Sequence, residues 1–222
     1  MRSYLEHLLA RGEVAVVERE VDARFELAAV TARFQAGSDR PLLFRRVKGT
    51  AFPVVTSIYG SRSRLRQIIG AGDDGFCRRW AGLLASPAPA KSTGPDDAAE
   101  RVHGRMADLP HIVHFEKDAG PYVTSAVFLA KEPETGVPNL SFHRAMMVDD
   151  GELRVRLGRS HHLTMYQTKA EALGKPLEAA MLIGPPPEIF LAAAAPVAYE
   201  EDEMVVAAKL AGKPVAMRRC RT

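Results

Sequence analysis

The chain has 222 residues, 46% hydrophobic and 26% charged, the balance of an ordinary soluble globular protein with enough length for one large domain or two modest ones. Thirty Lys and Arg against 27 Asp and Glu leave a formal net charge of +3, too small and too evenly spread to imply a nucleic-acid partner, though it suits anionic small ligands. The only two cysteines, Cys77 and Cys220, lie far apart without a CxxC pairing, which argues against a disulfide framework or a zinc ribbon and fits a reducing compartment.

The opening MRSYLEHLLARGEV carries Arg, Glu and His within its apolar pattern, so it lacks the apolar core of a signal peptide. The longest apolar stretch, Ile189 to Ala198, is too short to span a bilayer and is interrupted by Pro196. A cytoplasmic protein with no membrane span is expected.

In chain order, Ser3 precedes a helical pattern with Leu5, Leu8 and Leu9 on one face, and Glu6 stands three residues later as in a capping box. Gly12 ends that helix. Val14 to Val17 reads as a short strand, and Glu26 to Gln35 as a second helix stopped by Gly37. Leu42-Leu43-Phe44 and Phe52 to Thr56 read as neighbouring strands around a Lys48-Gly49 turn. This alternation predicts an α/β domain over residues 1–105, which includes a mobile linker at Ser86 to Asp97 (SPAPAKSTGPDD), rich in Pro, Ser, Ala and Gly.

The second half, residues 106–222, changes character. Tyr122 to Ala130 and Asn139 to Val148 are β-rich runs, and Asp149-Asp150-Gly151 followed by Leu153, Val155 and Leu157 signals a hairpin. Thr164 to Leu173 reads as a helix closed by Gly174, Ala179 to Ile183 as a buried strand, and Pro185-Pro186-Pro187 as the start of a short Ala-rich helix. Glu201 to Leu210 reads as a last helix with Gly212 past its end. The fold class expected is α+β, the N-terminal α/β domain being followed by an antiparallel sheet or split β-barrel with peripheral helices.

Asn139, His162 and Glu203 offer mixed oxygen and nitrogen ligands of the kind a manganese- or magnesium-like ion accepts. Each also has a plain structural reading. Asn139 after Pro138 can cap a turn, His162 beside His161 can be a surface or hydrogen-bonded core histidine, and Glu203 in an acidic run can be a solvated helix start. Arg144 lies in an otherwise apolar run, where a guanidinium is costly unless it meets an anion such as a carboxylate or phosphate; the alternative is an outward-facing edge residue. Simple alternation puts Asn139 and Arg144 on opposite strand faces unless Asn139 lies at the strand entrance or beside a bulge. His111 and His114 have HxxH spacing after Pro110, without an evident helix, and Arg62, Arg64, Arg66, Arg78 and Arg79 read as a solvated basic face. No GxGxxG, Walker loop, GxSxG or HExxH occurs.

Several ordered blocks together resemble the UbiD family of prenylated-FMN-dependent decarboxylases over essentially the whole chain. They are SYLEHLLARGEVAVVEREVD, PLLFRRVKGTAFPVVTSIYGSRSRL, HFEKDAGPYVTSAVFLAKEPETGVPNLSFHRAMMVDD and GKPLEAAMLIGPPPEIFLAAAAPVAYEEDE. The resemblance implies that the second half is a flavin-binding domain. It implies that Asn139, His162 and Glu203 hold manganese against the phosphate of prenylated FMN, and that Ser141 and His161 contact the cofactor. Carbonyls around Ala193 and Ala195 match a potassium site, and Arg144 matches the catalytic arginine that orients the substrate carboxylate. Supply of the cofactor by a flavin prenyltransferase and a small carboxylic acid as substrate are implied as well.

In that family the modified flavin carries the chemistry of decarboxylating an aromatic or unsaturated acid. Family members are about twice this long, and the glutamates paired with the arginine lie beyond Arg221 and Thr222; no glutamate before Thr222 matches the proton donor. Three expectations stand side by side: a fragment, a subunit completed by a second polypeptide carrying the missing glutamates, or a non-catalytic flavin- or metal-binding or assembly subunit. A weaker possibility is a plain flavin reductase.

Overall fold

A computed structural model describes residues 1–73, 75–89, 104–217 and 220. The first helix, α1 (Arg2–Ala10), starts at Met1 with no side-chain cap, so the expected Ser3 capping box does not form. Met1, Tyr4, Leu5 and Leu9 pack with buried Leu8, Val14, Leu43 and Ile58. That apolar contact draws the first turn in and places Ser3 inside the helix.

β1 (Ala15–Val21) runs longer than the apolar signal and pairs in parallel with β2 (Leu42–Val47), Ala15 opposite Leu42 and Val17 opposite Phe44. A parallel pair needs a crossover, supplied by α2 (Glu26–Gln35), whose bounds agree with the sequence expectation. β3 (Val54–Thr56) returns antiparallel to β2 after a turn in which Gly49 has φ +83°, backbone space that glycine enters without steric cost. Period-two alternation along β2 divides the core: Leu42 and Phe44 pack with Val21 and Leu27 on the α2 face, while Leu43 joins the α1 cluster.

Two helices follow, α3 (Arg62–Ile69), capped by the Ser61 hydroxyl, and α4 (Phe76–Ala85). The arginines here do not form one solvated basic face. Arg64 is buried, its guanidinium donating to the carbonyls of Ile58 and Asp39 at 3.2 and 3.0 Å, and Arg79 Nε donates to Ile69 O at 3.0 Å. Backbone carbonyls meeting at the α3 entrance supply acceptors that spacing alone does not reveal. Of the expected linker, residues 86–89 are irregular and residues 90–97 lie outside the described residues.

The halves are stitched together. Phe25 N donates to Val113 O at 2.9 Å and Val113 N to Ala23 O at 3.2 Å, while Thr50 Oγ1 donates to Asp108 O at 2.7 Å. Ile69, Leu83 and Leu191 are buried together, so α3 and α4 also lean on the second half.

That half contains two three-stranded antiparallel sheets. One orders β4 (Tyr122–Val123), β7 (Ala145–Met147) and β8 (Leu153–Val155) as β4-β7-β8; the other orders β6 (Pro138–Phe142), β5 (Val127–Lys131) and β9 (Ala179–Leu182) as β6-β5-β9. No closed barrel forms among the described residues; the two sheets share one core, in which Phe128, Ala130 and Ala145 pack with Leu163 and Tyr166.

Each of the two long β-rich runs is broken and divided between the sheets. Thr124 and Ser125 are exposed between β4 and β5, and Arg144 is exposed between β6 and β7. Continuing one strand through Arg144 would bury a guanidinium without an anion, and the break avoids it. The Asp-Gly hairpin forms as expected, pairing β7 with β8.

α5 (His162–Ala172) begins two residues earlier than its pattern suggested. β9 is an edge strand and only half buried, with Ile183 51% exposed, so the expectation of a buried strand is corrected. α6 (Pro187–Ala192) and α7 (Glu203–Ala211) cover the opposite face of the β6-β5-β9 sheet, where Val127 and Leu140 pack with Ile189, Ala192, Val206 and Ala207. No helix among the described residues is long and apolar enough to cross a membrane.

Candidate functional site

β6 is the outer strand of its sheet, and directly opposed residues of an antiparallel pair share a face. Asn139 and Ser141 lie opposite Ala130 and Phe128, on the α5 side, whereas Leu140 and Phe142 lie opposite Leu129 and Val127, on the α6–α7 side. An outer strand leaves backbone donors without a ladder partner. Glu203, the first residue of α7, supplies an acceptor there: Leu140 N donates to Oε2 at 3.3 Å, and Asn139 Nδ2 donates to Oε1 at 2.6 Å.

Glu203 is 3% exposed, so the solvated helix start is corrected. Burial raises its pKa, opposed by hydrogen bonds from its own backbone N–H, from Leu140 and from Asn139. The Asp202 side chain caps α7 by accepting from Met204 N at 2.7 Å, and the helix N-terminus favours the nearby carboxylate. Asn139 is equally buried, and among the described residues its Oδ1 has no hydrogen-bond partner. A buried acceptor in that state costs about 1–3 kcal/mol, and a carbonyl-type oxygen beside a carboxylate is a donor set suited to a hard cation.

α5 brings the histidines. His161 is its N-cap and His162 its first residue. The half-buried His162 ring meets the Tyr199 ring edge-on at 5.4 Å, and Tyr166, one turn further along α5, meets Tyr199 in the same manner at 5.4 Å. Tyr166 is fully buried and its hydroxyl has no partner among the described residues; its pKa is pushed up to about 12, first by burial and then by the Glu203 charge. Asn139 and Glu203 are thus in contact, and the Glu203 charge acts on Tyr166, which shares the Tyr199 ring with His162. Among the described residues no hydrogen bond joins His162 to either, and no group of three or more His, Cys, Asp or Glu is arranged to hold a metal.

The sequence reading missed His143. It is 4% exposed, with Nε2 at 2.9 Å from Ser141 Oγ, its ring 5.3 Å from that of His161 and edge-on to Phe128 at 5.7 Å. Burial lowers its pKa and the neighbouring His161 lowers it further, so the imidazole is held neutral. The signal was available, because residues 139, 141 and 143 have one parity. Above them His161 is exposed, lying close over Gly158; a Cβ there would meet its ring at 3.2 Å.

Arg144 projects from the break between β6 and β7, its guanidinium carbon 4.7 Å from the Tyr122 ring centroid. Ala193 and Ala195 lie in the turn after α6, where their N–H groups donate to Ile189 O and Ala192 O at 3.0 Å each. The HxxH pair makes contacts of its own. His111 Nε2 is 3.1 Å from Met106 O, and His114 is tilted against Phe115.

Two family models match the chain. The 3-octaprenyl-4-hydroxybenzoate carboxy-lyase N-terminal domain of the UbiD family covers residues 5–84, and the Rift-related domain of the same carboxy-lyase covers residues 90–222. The anhydromevalonate phosphate decarboxylase of Methanothermobacter thermautotrophicus is 31% identical over 99% of this chain and 51% of its own length. Among solved structures, the UbiD-class enzyme HmfF from Pelotomaculum thermopropionicum in complex with FMN superposes with a TM-score of 0.88 at 34% identity, over 100% of this chain and 50% of that one. Vanillic acid decarboxylase of Sedimentibacter hydroxybenzoicus in its closed form gives a TM-score of 0.81 at 26% identity, over 98% and 49%. The chain therefore spans about half the length of the relatives it matches.

Proposed function

The chain belongs to the UbiD carboxy-lyase family, and from that premise we propose that it is the flavin- and metal-holding part of a non-oxidative decarboxylase acting on an aromatic or α,β-unsaturated carboxylic acid. The observation that carries the reading is the buried Asn139–Glu203 pair, with Asn139 Oδ1 lacking a donor. A divalent cation would satisfy that oxygen and offset the cost of keeping the Glu203 carboxylate charged in the interior. Asn139, Glu203 and His162 would hold manganese, and Ser141 and His161 would contact the cofactor, with potassium at the carbonyls of Ala193 and Ala195. Similarity to an FMN-bound structure supports a flavin here, and one related structure contains its prenylated form.

Prenylated FMN, when bound, supplies the electron sink that makes carbon dioxide a leaving group. The chain's own residues bind and orient. Arg144, exposed and with a fork of donors, would take the substrate carboxylate bidentately. Neutral His143 fixes the Ser141 hydroxyl, and the apolar residues around Phe128 and Tyr166 keep water from the inner side of the site. The vanillic acid and anhydromevalonate phosphate decarboxylases among the relatives support a carboxylic acid substrate. The same reading divides the chain at 105/106, treats the two small sheets as parts of a split barrel, and places the protein in the cytoplasm, with a flavin prenyltransferase as cofactor supplier.

One observation favours a second reading. Arg144 has no carboxylate partner among the described residues and stacks on Tyr122 instead. On that reading this is a flavin- and metal-binding subunit that needs a second polypeptide carrying the acidic partners. The protein is to be co-produced with a flavin prenyltransferase, its absorbance spectrum and metal content recorded, and decarboxylation assayed with and without companion chains. Bound flavin with stoichiometric manganese, both lost in Asn139→Ala, is the expected result; an Asn139→Ala protein retaining both would overturn the site. Turnover that appears only with a companion chain selects the second reading.

A further inference from the structure

His162 sits on a helix whose rotation about its own axis must be set by something, and the structure supplies an anchor outside the site already described. His162, Tyr166 and Lys169 are spaced i, i+4 and i+7, which places them along one face of α5. At the far end of that stripe the Lys169 ammonium is 2.5 Å from Glu132 Oε1 and 2.6 Å from Glu134 Oε2. The Glu132 side chain is only 1% exposed. Its other oxygen is fixed by its own turn, accepting from Glu134 N at 2.7 Å and Thr135 N at 2.5 Å. Glu132 follows the last residue of β5, and Asn139 is the second residue of β6, so the turn that holds the carboxylate also joins the two paired strands beneath the site.

At the near end of the stripe, His162 and Tyr166 both press edge-on against the Tyr199 ring, at 80° and 84° to it. Tyr199 comes from the irregular segment between α6 and α7. One aromatic plate thus takes two contacts from the face of α5 that carries His162, and one buried carboxylate ties the same helix face to the strands that carry Asn139.

We propose that Glu132, Lys169 and Tyr199 are positioning residues that set the rotation of α5 and the plane of the His162 imidazole. Lys169 locks the helix face to the β5–β6 turn. Tyr199 then limits His162 to ring orientations that keep its edge against the phenol ring, and the ring rather than the hydroxyl makes that contact. This deepens the reading of His162 as a manganese ligand and rests on it. Outer-shell partners of metal-bound histidines commonly change metal affinity by about 10- to 100-fold.

The test uses the protein with any companion chain it is isolated with, in four forms: unaltered, Tyr199→Leu, Tyr199→Phe and Lys169→Met. Free manganese is titrated by its paramagnetic resonance signal, and the His162 ring resonances, assigned by their loss in His162→Gln, are followed without metal. Tyr199→Leu is expected to weaken manganese binding by about 10-fold or more and to move the His162 resonances. Lys169→Met is expected to do the same to a smaller extent, and Tyr199→Phe, which keeps the ring, to stay within about twofold of the unaltered protein. Unchanged affinity together with unchanged His162 resonances in a folded Tyr199→Leu protein would overturn the proposal, as would Tyr199→Phe behaving like Tyr199→Leu. Should the unaltered protein bind no manganese, the metal reading fails by itself, and the ring resonances still decide whether Tyr199 positions His162. If Tyr199→Leu does not fold, the comparison of Lys169→Met with Tyr199→Phe decides.

Discussion

Arg144 and Tyr122 are joined by a cation–π contact: the guanidinium carbon stands 4.7 Å from the ring centroid, linking the exposed break between β6 and β7 to β4. At an exposed position such a contact is worth about 0.5–1 kcal/mol. It restrains the arginine, which is exposed, without consuming its hydrogen-bond donors. Replacing Tyr122 by Leu is expected to raise the KM for the acid about two- to fivefold with little change in bound flavin, whereas Arg144→Ala removes turnover while flavin binding persists. Steady-state kinetics beside the flavin absorbance separates the two effects, and a Tyr122→Leu enzyme with unaltered KM would refute the restraint.

Glu203 accepts from two donors, Leu140 N–H and Asn139 Nδ2. Glu203→Ala leaves both buried and unpaired, at about 1–3 kcal/mol each, so a destabilisation of about 2 kcal/mol or more is expected together with loss of manganese. Glu203→Gln retains an acceptor and is expected to destabilise less while still losing the metal. Denaturant midpoints and metal analysis of the two variants check this.

Tyr166 offers the opposite case. Its hydroxyl is buried without a partner among the described residues, so Tyr166→Phe removes an unsatisfied group at nearly constant volume. The metal-free variant is expected to be as stable as the unaltered protein or slightly more stable, within about 1 kcal/mol. A large loss on thermal melting would mean that the hydroxyl has a structural partner.

The buried Glu132 sets an acid limb. Its pKa is lowered to about 2, first by the Lys169 ammonium and then by the Thr135 N–H, against about 4.3 in an unfolded chain. A depressed carboxylate stabilises the fold above its unfolded pKa, and that stabilisation is lost as pH falls from about 4.3 through the folded value. Melting curves between neutral pH and about pH 2 should show this loss, and Glu132→Gln should flatten that limb while lowering stability near neutrality.

Elements whose signals are local were legible in the sequence. α2 carries its helical period between residues 26 and 35, and the Asp-Gly turn marked the β7–β8 hairpin. The last helix was placed within two residues at its start, where Asp202 caps it. Asn139 and Glu203, 64 positions apart along the chain, meet in a buried hydrogen bond. The misses had non-local causes. The run through Arg144 was read as one strand because apolar content says nothing of which sheet a strand joins. Arg64 was read as solvated because the carbonyls of Ile58 and Asp39 that receive it come from other segments.

By itself the sequence determined the periodicities, the turns, the family blocks and the kinds of side chain available for a metal and a carboxylate, since these follow from residue type and spacing. Only the tertiary structure decided that the β6 edge is closed by the Glu203 carboxylate, that His143 lies buried against Ser141, and that His162 and Tyr166 both meet the Tyr199 ring. Those relationships depend on where an outer strand leaves its N–H groups unpaired and on which distant side chain packing brings to them, and residue order does not encode that separately from the fold.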